Sequence, residues 1–478
     1  MPHTPHPTPH AGDTAPCSPA GNSPAPAASD TGLPVSDQPL IHIDALGYGP
    51  AGIGRTQEGK AVFVEGTAPG DVVAVDIIRE KASFAEGRIA RLEQPGDARV
   101  TPRWLMPALA AVAPWAQVAY PAQLAAKKAN LESALTRIAK LDPARAAQIV
   151  EEPVASPKQV GYRNKLELGC GTDARGLLEV GFHAEHSHDL VRIDTVPLAV
   201  KGLERAPKAL RGCLRFVQKS QDLGLFRIGI RHSTRTGDTE VALWTAPGPF
   251  PRALAVKVLR DALAPSSIVR VIADAGKSRR VKNVEALYGK GCWEERLAGC
   301  RFKVSAPSFF QVNTAQAENL VDLVCAGLAV SAGDFVADLY SGVGTFSIPL
   351  AKAGADVVAV ESAASAVRDL RRNADLNNVR IECIGGDSAR ELQDLEDLDA
   401  LVVDPPRAGL AATVPADIAA AGPARVAYVS CDPATFARDI ARFAEVGYEL
   451  VRAVPVDLFP QTYHAETVGF LERRPAIR

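Results

Sequence analysis

The chain has 478 residues, more than a single hydrophobic core accommodates, so two or three domains are expected. Apolar residues make up 47% and charged residues 23%, the balance of an ordinary globular protein, and a formal net charge of −2 means that nucleic-acid binding must come from local basic patches rather than a global field. Its eight cysteines (17, 170, 213, 292, 300, 325, 383, 431) form no C-x-x-C pair and no disulfide-like framework, which favours a reducing compartment and argues against a cysteine-rich zinc or iron–sulfur site.

Residues 1–38, rich in Pro, Ala, Ser, Thr and His, have almost nothing to bury and read as a disordered tail; a metal-binding His tract is the weaker alternative. The start has neither the basic nor the apolar segment of a signal peptide. The weakly polar stretch 108–126 is broken by Pro114 and Pro121 and carries Gln117 and Gln123, so no membrane span is expected and the location expected is cytoplasmic.

Residues 39–96 change character. "LIHIDAL", "AVFVEG", "DVVAVDII" and "FAEGRIARLE" are short β-rich runs separated by the turn chemistry of "GYGPAGIGR" and "TAPG". They predict a small barrel of the oligonucleotide-binding kind, although strand pattern alone does not separate it from other small β modules.

Residues 97–300 predict a mixed α+β domain. "AYPAQLAAKKANLESALTRIAKL" has the spacing of an amphipathic helix with Leu124, Leu131, Leu135 and Ile138 on one side. The β-like stretches after it, "GYRNKLELG", "FRIGIRHSTRTGD" and "GKSRRVKN", are basic. Lys/Arg runs are commonly solvated surface, but repeated on β segments they fit a phosphate-contacting face.

From 301 to 478 strands and helices alternate: "FVADLY", "SGVGTFSIPLAKAG", "ADVVAVE", "SAASAVRDLRRNADLNN", "VRIECIGGD", "ALVVDPPRAG", "RVAYVSCDP", "ATFARDIARFAEVG" and "YELVRAVPVD". This predicts a doubly wound, mainly parallel α/β domain that binds ligands at the carboxyl ends of its strands.

Three of those strand ends carry chemistry. In "ADLYSGVGTF", Gly342 and Gly344 allow a tight turn and close approach to a ligand, and Glu361, nineteen residues beyond Gly342, is placed to bind two ribose hydroxyls. A nicotinamide site is the alternative, but Ser347 stands where a third glycine would, and an adenosine-type cofactor such as S-adenosylmethionine fits better. In "LVVDPPRAG", Asp404 sits on a loop stiffened by Pro405 and Pro406; a D-P-P motif also serves amino-group methylation, but Arg407 follows in place of an aromatic. In "RVAYVSCDP", Asp432 and Pro433 read as N-cap and first helical residue, so Cys431 lies at a strand end beside a helix N-terminus. Amides there are expected to lower its pKa and favour a nucleophilic thiolate over an inert buried cysteine. In the tail "FPQTYHAETVGFLER", His464 and Glu466 would share one side of an extended segment, and Glu466 is the candidate base.

In this order, "SFFQVNT", "DLYSGVGTFSIPLA", "VDPPRAG", "YVSCDPATFARD" and "HAETV" resemble the RNA uridine-C5 methyltransferase family, and the resemblance extends through "YRNK" to a β module similar to a TRAM domain, residues 39–474 in all. The resemblance implies Rossmann-like methyltransferase folding, S-adenosylmethionine as cofactor, and RNA as partner. TRAM-bearing bacterial members mostly modify 23S ribosomal RNA, which makes it the favoured substrate, with transfer RNA as the alternative; a monomer is expected. It also implies that Gln311, Tyr340, Glu361 and Asp404, with Thr345 and Asp387 less firmly, contact the cofactor beside Gly342 and Gly344. Cys431 would be the nucleophile and Glu466 the general base.

Many members carry a C-x5-C-x2-C run and a fourth cysteine that hold a [4Fe–4S] cluster. Here Pro107, Ala113, Ala116 and Val196 stand at those positions, so no cluster and no metal is expected, and apolar packing of Leu105, Leu109, Val112, Trp115 and Val118 should support the region instead. Other readings are a catalytically inactive RNA-binding scaffold and a cytosine-C5 methyltransferase.

Overall fold

The computed structural model describes residues 38–102, 104, 109, 110, 112–183, 189–219, 222–274 and 280–474. The expected tail to residue 37, Leu105, Pro107 and most of the basic run "GKSRR" lie outside them.

Strands β1 (Leu40–Leu46), β2 (Ala51–Arg55), β3 (Ala61–Glu65), β4 (Val72–Glu80) and β5 (Phe84–Gln94) close a barrel in the order β1-β2-β3-β5-β4. Alternate residues point inward, and Ile41, Ile43, Val62, Val64, Val73, Val75 and Ala85 fill the interior. The stretch "GYGPAGIGR", read as turn, is half strand. Its glycines explain the misreading: a Cβ at Gly54 would lie 2.2 Å from the His42 carbonyl oxygen, so only glycine lets β2 come this close to β1.

Helices α1 (Tyr120–Arg137) and α2 (Pro143–Ile149) follow. The buried face of α1 is Gln123, Lys127, Leu131 and Leu135, while Ile138 of the expected apolar side is exposed. The first half of that face meets polar side chains and carbonyls rather than an apolar core. Lys127 Nζ stands 2.5 Å from Asp457 Oδ1, and Gln123 Nε2 donates to Gln461 Oε1 at 2.9 Å. Such a buried ion pair is tolerated because each charge faces its opposite, and Lys127 Nζ also donates to the Phe459 carbonyl at 3.2 Å.

The central sheet comprises β6 (Lys165–Thr172), β7 (Leu178–His183), β8 (Leu190–Arg192), β9 (Leu225–His232), β10 (Thr239–Thr245), β11 (Ser267–Ala273) and β12 (Val281–Gly289), ordered β12-β11-β10-β9-β6-β7-β8. Helices α3 (Ala206–Gln218) and α4 (Arg252–Leu263) cover one face, packing Leu210, Leu214 and Leu259 against Leu168, Ile228, Val241 and Leu243. The alternating residues Ala242 and Trp244 belong to a second small core on the other face.

The C-terminal domain begins with a hairpin, β13 (Trp293–Leu297) and β14 (Cys300–Val304). Then come α5 (Thr314–Leu328), β15 (Phe335–Leu339), α6 (Ser347–Lys352), β16 (Asp356–Glu361), α7 (Ala364–Leu376), β17 (Ile381–Gly385), α8 (Ser388–Glu391), β18 (Ala400–Val403), α9 (Val414–Ala421), β19 (Arg425–Ser430), α10 (Pro433–Glu445), β20 (Tyr448–Val456) and β21 (Glu466–Arg473). The sheet runs β17-β16-β15-β18-β19-β21-β20, with β21 antiparallel between β19 and β20 and the other six strands running in one direction. This is the doubly wound fold expected, with its strand order reversing at β15, where ligands bind. Packing crosses residue 301 and also draws in earlier chain. Trp293, Leu297 and Phe302 join one core of this domain, and Leu131, Leu135, Ala146 and Ile149 of α1 and α2 join the other.

Candidate active site

The loop leaving β15 is wound through left-handed backbone at Tyr340 (φ 60°), Gly342 (φ 57°) and Gly344 (φ 92°). At Gly342 an added Cβ would meet nothing within 4 Å, so this part of the loop faces open space; at Gly344 it would lie 2.6 Å from Leu370 Cδ1, so that glycine serves close packing on α7. The half-buried Glu361 ties the two strand ends together. One carboxylate oxygen accepts from Gly342 N–H at 2.9 Å and the other from Ala363 N–H at 2.7 Å.

Thr345 on the same loop is half-buried, and Ser347, the first residue of α6, is fully buried and donates to the Asp338 carboxylate. Burial pushes the Asp338 carboxyl up to about 7, and its Oδ1 has no hydrogen-bond partner among the described residues. Tyr340 N–H donates to Ser388 Oγ at 3.3 Å, which brings the loop after β17 alongside. There the exposed Asp387 caps α8, accepting from Ala389 N–H and Arg390 N–H. Gln311 is buried on the segment before α5, where Asn164 of the central domain donates to its carbonyl at 2.9 Å.

The second half of the site forms around β19. Ser430 pairs with Thr467, so one further step along that antiparallel ladder sets Cys431 across from Glu466, the first residue of β21. Asp432 caps α10, accepting from Ala434 N–H at 3.0 Å and Thr435 N–H at 3.1 Å. Arg407, from the loop after β18, lies 3.5 Å from the Asp432 carboxylate. Cys431, Glu466, Asp404 and Arg407 are thus in one crevice.

The electrostatics of that crevice correct the expectation of an acidified thiol. Burial, then Glu466 and Asp404, push Cys431 up to about 12, with Arg407 pulling the other way. The helix terminus does not compensate, because the Asp432 side chain already takes two first-turn amides. Glu466 and Asp404 are themselves held well above the ordinary carboxylate range, Glu466 by burial and Asp404, and Asp404 by burial and Asp338.

His464 precedes β21 rather than sharing its ladder. Its ring lies 4.1 Å from Tyr463 and 6.1 Å from Phe459, and burial followed by Arg407 lowers it to about 4, leaving a neutral member of an aromatic wall. A cleft of about 570 Å³ opens between that wall and the central sheet, with Arg163, Lys165 and Phe309 among its lining. The basic β stretches divide in role. Arg227 lines the cleft with its guanidinium 3.5 Å from the Trp244 ring centroid, whereas Arg231 is buried and clamps the Ser305 and Ser308 carbonyls. Sequence reasoning missed Asp338, hidden inside an apolar run, and Tyr48, which lay in apparent turn chemistry and donates to the Cys431 carbonyl at 3.2 Å.

Residues 119–474 match the family model of tRNA (uracil-5-)-methyltransferases, and residues 40–90 match that of the TRAM domain. The chain belongs to the tRNA (uracil-5-)-methyltransferase family. It is 35% identical over 446 residues to an RNA methyltransferase of Gloeobacter violaceus, covering 91% of this chain and 96% of that one. To one of Thermosynechococcus vestitus it is 34% identical over 443 residues, covering 90% and 97%. A crystal structure of the Pyrococcus abyssi tRNA (uracil-54, C5)-methyltransferase in complex with S-adenosyl-L-homocysteine superimposes with a TM-score of 0.68 at 26% identity, over 90% of this chain and 100% of that one. The protein is therefore an RNA uracil-C5 methyltransferase using S-adenosylmethionine. The open cradle at Gly342 and the carboxylate beside it fit that group.

Proposed function

We propose that the protein methylates C5 of a uridine in structured RNA through a covalent adduct between Cys431 and C6 of the base. The observation that carries this is the β19–β21 register, which faces a cysteine with a buried glutamate at the carboxyl edge of the sheet. Gly342, Gly344, Glu361 and Asp404 would hold S-adenosylmethionine, with Gln311, Tyr340, Thr345 and Asp387 contributing. When bound, that group supplies the electrophilic methyl.

Uracil C5 is a weak nucleophile. Attack of the Cys431 thiolate forms an S–C6 bond and moves the ring π electrons into an enolate, which makes C5 reactive. Arg407 is the charge that favours the thiolate against its acidic neighbours. After C5 has been methylated, the Glu466 carboxylate takes the C5 proton; the released pair re-forms C5=C6 as the S–C6 bond breaks. A carboxylate raised by burial is a stronger base than an exposed one, which suits this step near neutral pH. The target base must leave its stack to enter the crevice.

The TRAM barrel supports 23S ribosomal RNA as the substrate; the Pyrococcus neighbour, an enzyme of tRNA uracil 54, favours transfer RNA as the second reading. Our reading has no iron–sulfur cluster: Ala113, Ala116 and Val196 are packed inside the central core with Leu109 and Leu198. The reading also includes a cytoplasmic monomer. Mass mapping of 5-methyluridine in RNA from a deletion strain tests the assignment. One 23S position losing its methyl group supports it, loss from tRNA selects the second reading, and loss of 5-methylcytidine instead would overturn uridine chemistry.

A further inference from the structure

Tyr48 stands 383 residues from Cys431 in the chain, on the loop between β1 and β2, yet its phenol donates to the Cys431 carbonyl at 3.2 Å. That carbonyl belongs to the corner between β19 and the Asp432 cap, so its direction is coupled to the dihedrals that aim the thiol. Burial, then Asp432, raise the phenol above its ordinary range, so it stays protonated and remains a donor.

The loop that carries Tyr48 is fixed. Trp115 Nε1 donates to the Gly49 carbonyl at 3.1 Å, and the Trp115 ring is fully buried in a small core with Leu46, Ala68 and Val118. Trp115 N–H also donates to the Gln461 carbonyl at 3.0 Å, gripping the segment that leads to Glu466. The Tyr48 ring itself meets that segment edge-on, 5.5 Å from Tyr463 and 6.2 Å from His464. One side chain of the barrel therefore touches the corner that bears the nucleophile and the approach to the base. Tyr48, Gly49 and Pro50 also line a groove on the barrel, together with Phe84 and Arg88. RNA in that groove would rest against the loop that sets the thiol.

We propose that Tyr48 is a positioning residue for Cys431, which makes the N-terminal barrel a structural part of the catalytic unit as well as a binding module. This rests on Cys431 being the nucleophile. The test uses the full chain and compares wild type, Tyr48→Phe and Trp115→Phe. Tyr48→Phe keeps the ring and removes only the donor. It should slow single-turnover methylation and trapping by 5-fluorouridine-substituted RNA about three- to tenfold, the weight of one hydrogen bond, with melting temperature, RNA affinity and S-adenosylmethionine affinity unchanged. Trp115→Phe frees the loop and should slow the same steps in the same sense. Wild-type trapping rates in both variants, or a Tyr48→Phe defect that saturating RNA restores in full, would overturn the proposal while leaving the nucleophile in place. Turnover by Cys431→Ala would instead remove the nucleophile, and this inference with it.

Discussion

Two buried regions of the molecule solve opposite problems. At the collar formed by Leu109, Ala113, Trp115, Ala116, Val118 and Val196, these buried side chains are apolar, and both nitrogens of Trp115 are satisfied by carbonyls of distant chain, Gly49 and Gln461. At the crevice, Asp338, Asp404, Glu466 and the Cys431 thiol crowd together, and each is pushed up by burial and by an acidic neighbour. Burying such groups opposes folding, and side chains like those of the collar would be more stable there. A fold keeps an arrangement of this kind where chemistry needs it. The collar can be altered at a cost in stability, and the crevice at a cost in chemistry.

That contrast can be broken from either side. The largest effect belongs to Glu466→Gln, which removes the base but leaves the thiol. Turnover should fall about 10²–10⁴-fold while a denaturation-resistant protein–RNA adduct accumulates, visible on denaturing gels; turnover loss without adduct would place Glu466 before the covalent step. Next is Trp115→Ala. It should destabilise the protein by about 3–5 kcal/mol in denaturant titration, since the ring is fully buried. A shift below about 1 kcal/mol would deny the collar its supporting role.

Glu361→Ala is a smaller perturbation. Its carboxylate holds Gly342 and Ala363 amides, so the loss should weaken S-adenosylmethionine about 10–100-fold by calorimetry, with RNA affinity retained. The smallest effect is on pH dependence. Glu466 is raised from 4.5 to about 8, so the folded state binds a proton that the unfolded state releases. The resulting stability is present below about pH 4.5 and is lost as pH rises through about 8. The melting temperature of wild type should therefore fall more between pH 5 and 8 than that of Glu466→Gln; equal slopes would mean that Glu466 titrates normally.

Much of this was legible in the sequence because the signals were local. The alternation from "FVADLY" to "YELVRAVPVD" has strand and helix periods that survive in β15 to β20, and Asp432-Pro433 announces a capped helix directly after Cys431. What was not legible depends on distant chain. The thiol was expected to be acidified, but its state is set by Glu466 and Asp404, which only the folded sheet brings beside it. Gln123 and Lys127 are polar residues on a buried face because their partners, Gln461 and Asp457, arrive from the far end of the chain. β2 was hidden because Gly52 and Gly54 read as turn, and Tyr48 was hidden with it.

The central claim, that Cys431 attacks the base, is tested most directly by trapping. Full-length protein is incubated with S-adenosylmethionine and 5-fluorouridine-substituted RNA, digested, and the crosslinked peptide sequenced by mass spectrometry. The account predicts a nucleotide carrying an added methyl group on Cys431, within residues 428–439, and no crosslink in Cys431→Ala. Methylation of ordinary RNA by Cys431→Ala, or a crosslink on any other cysteine, would contradict it.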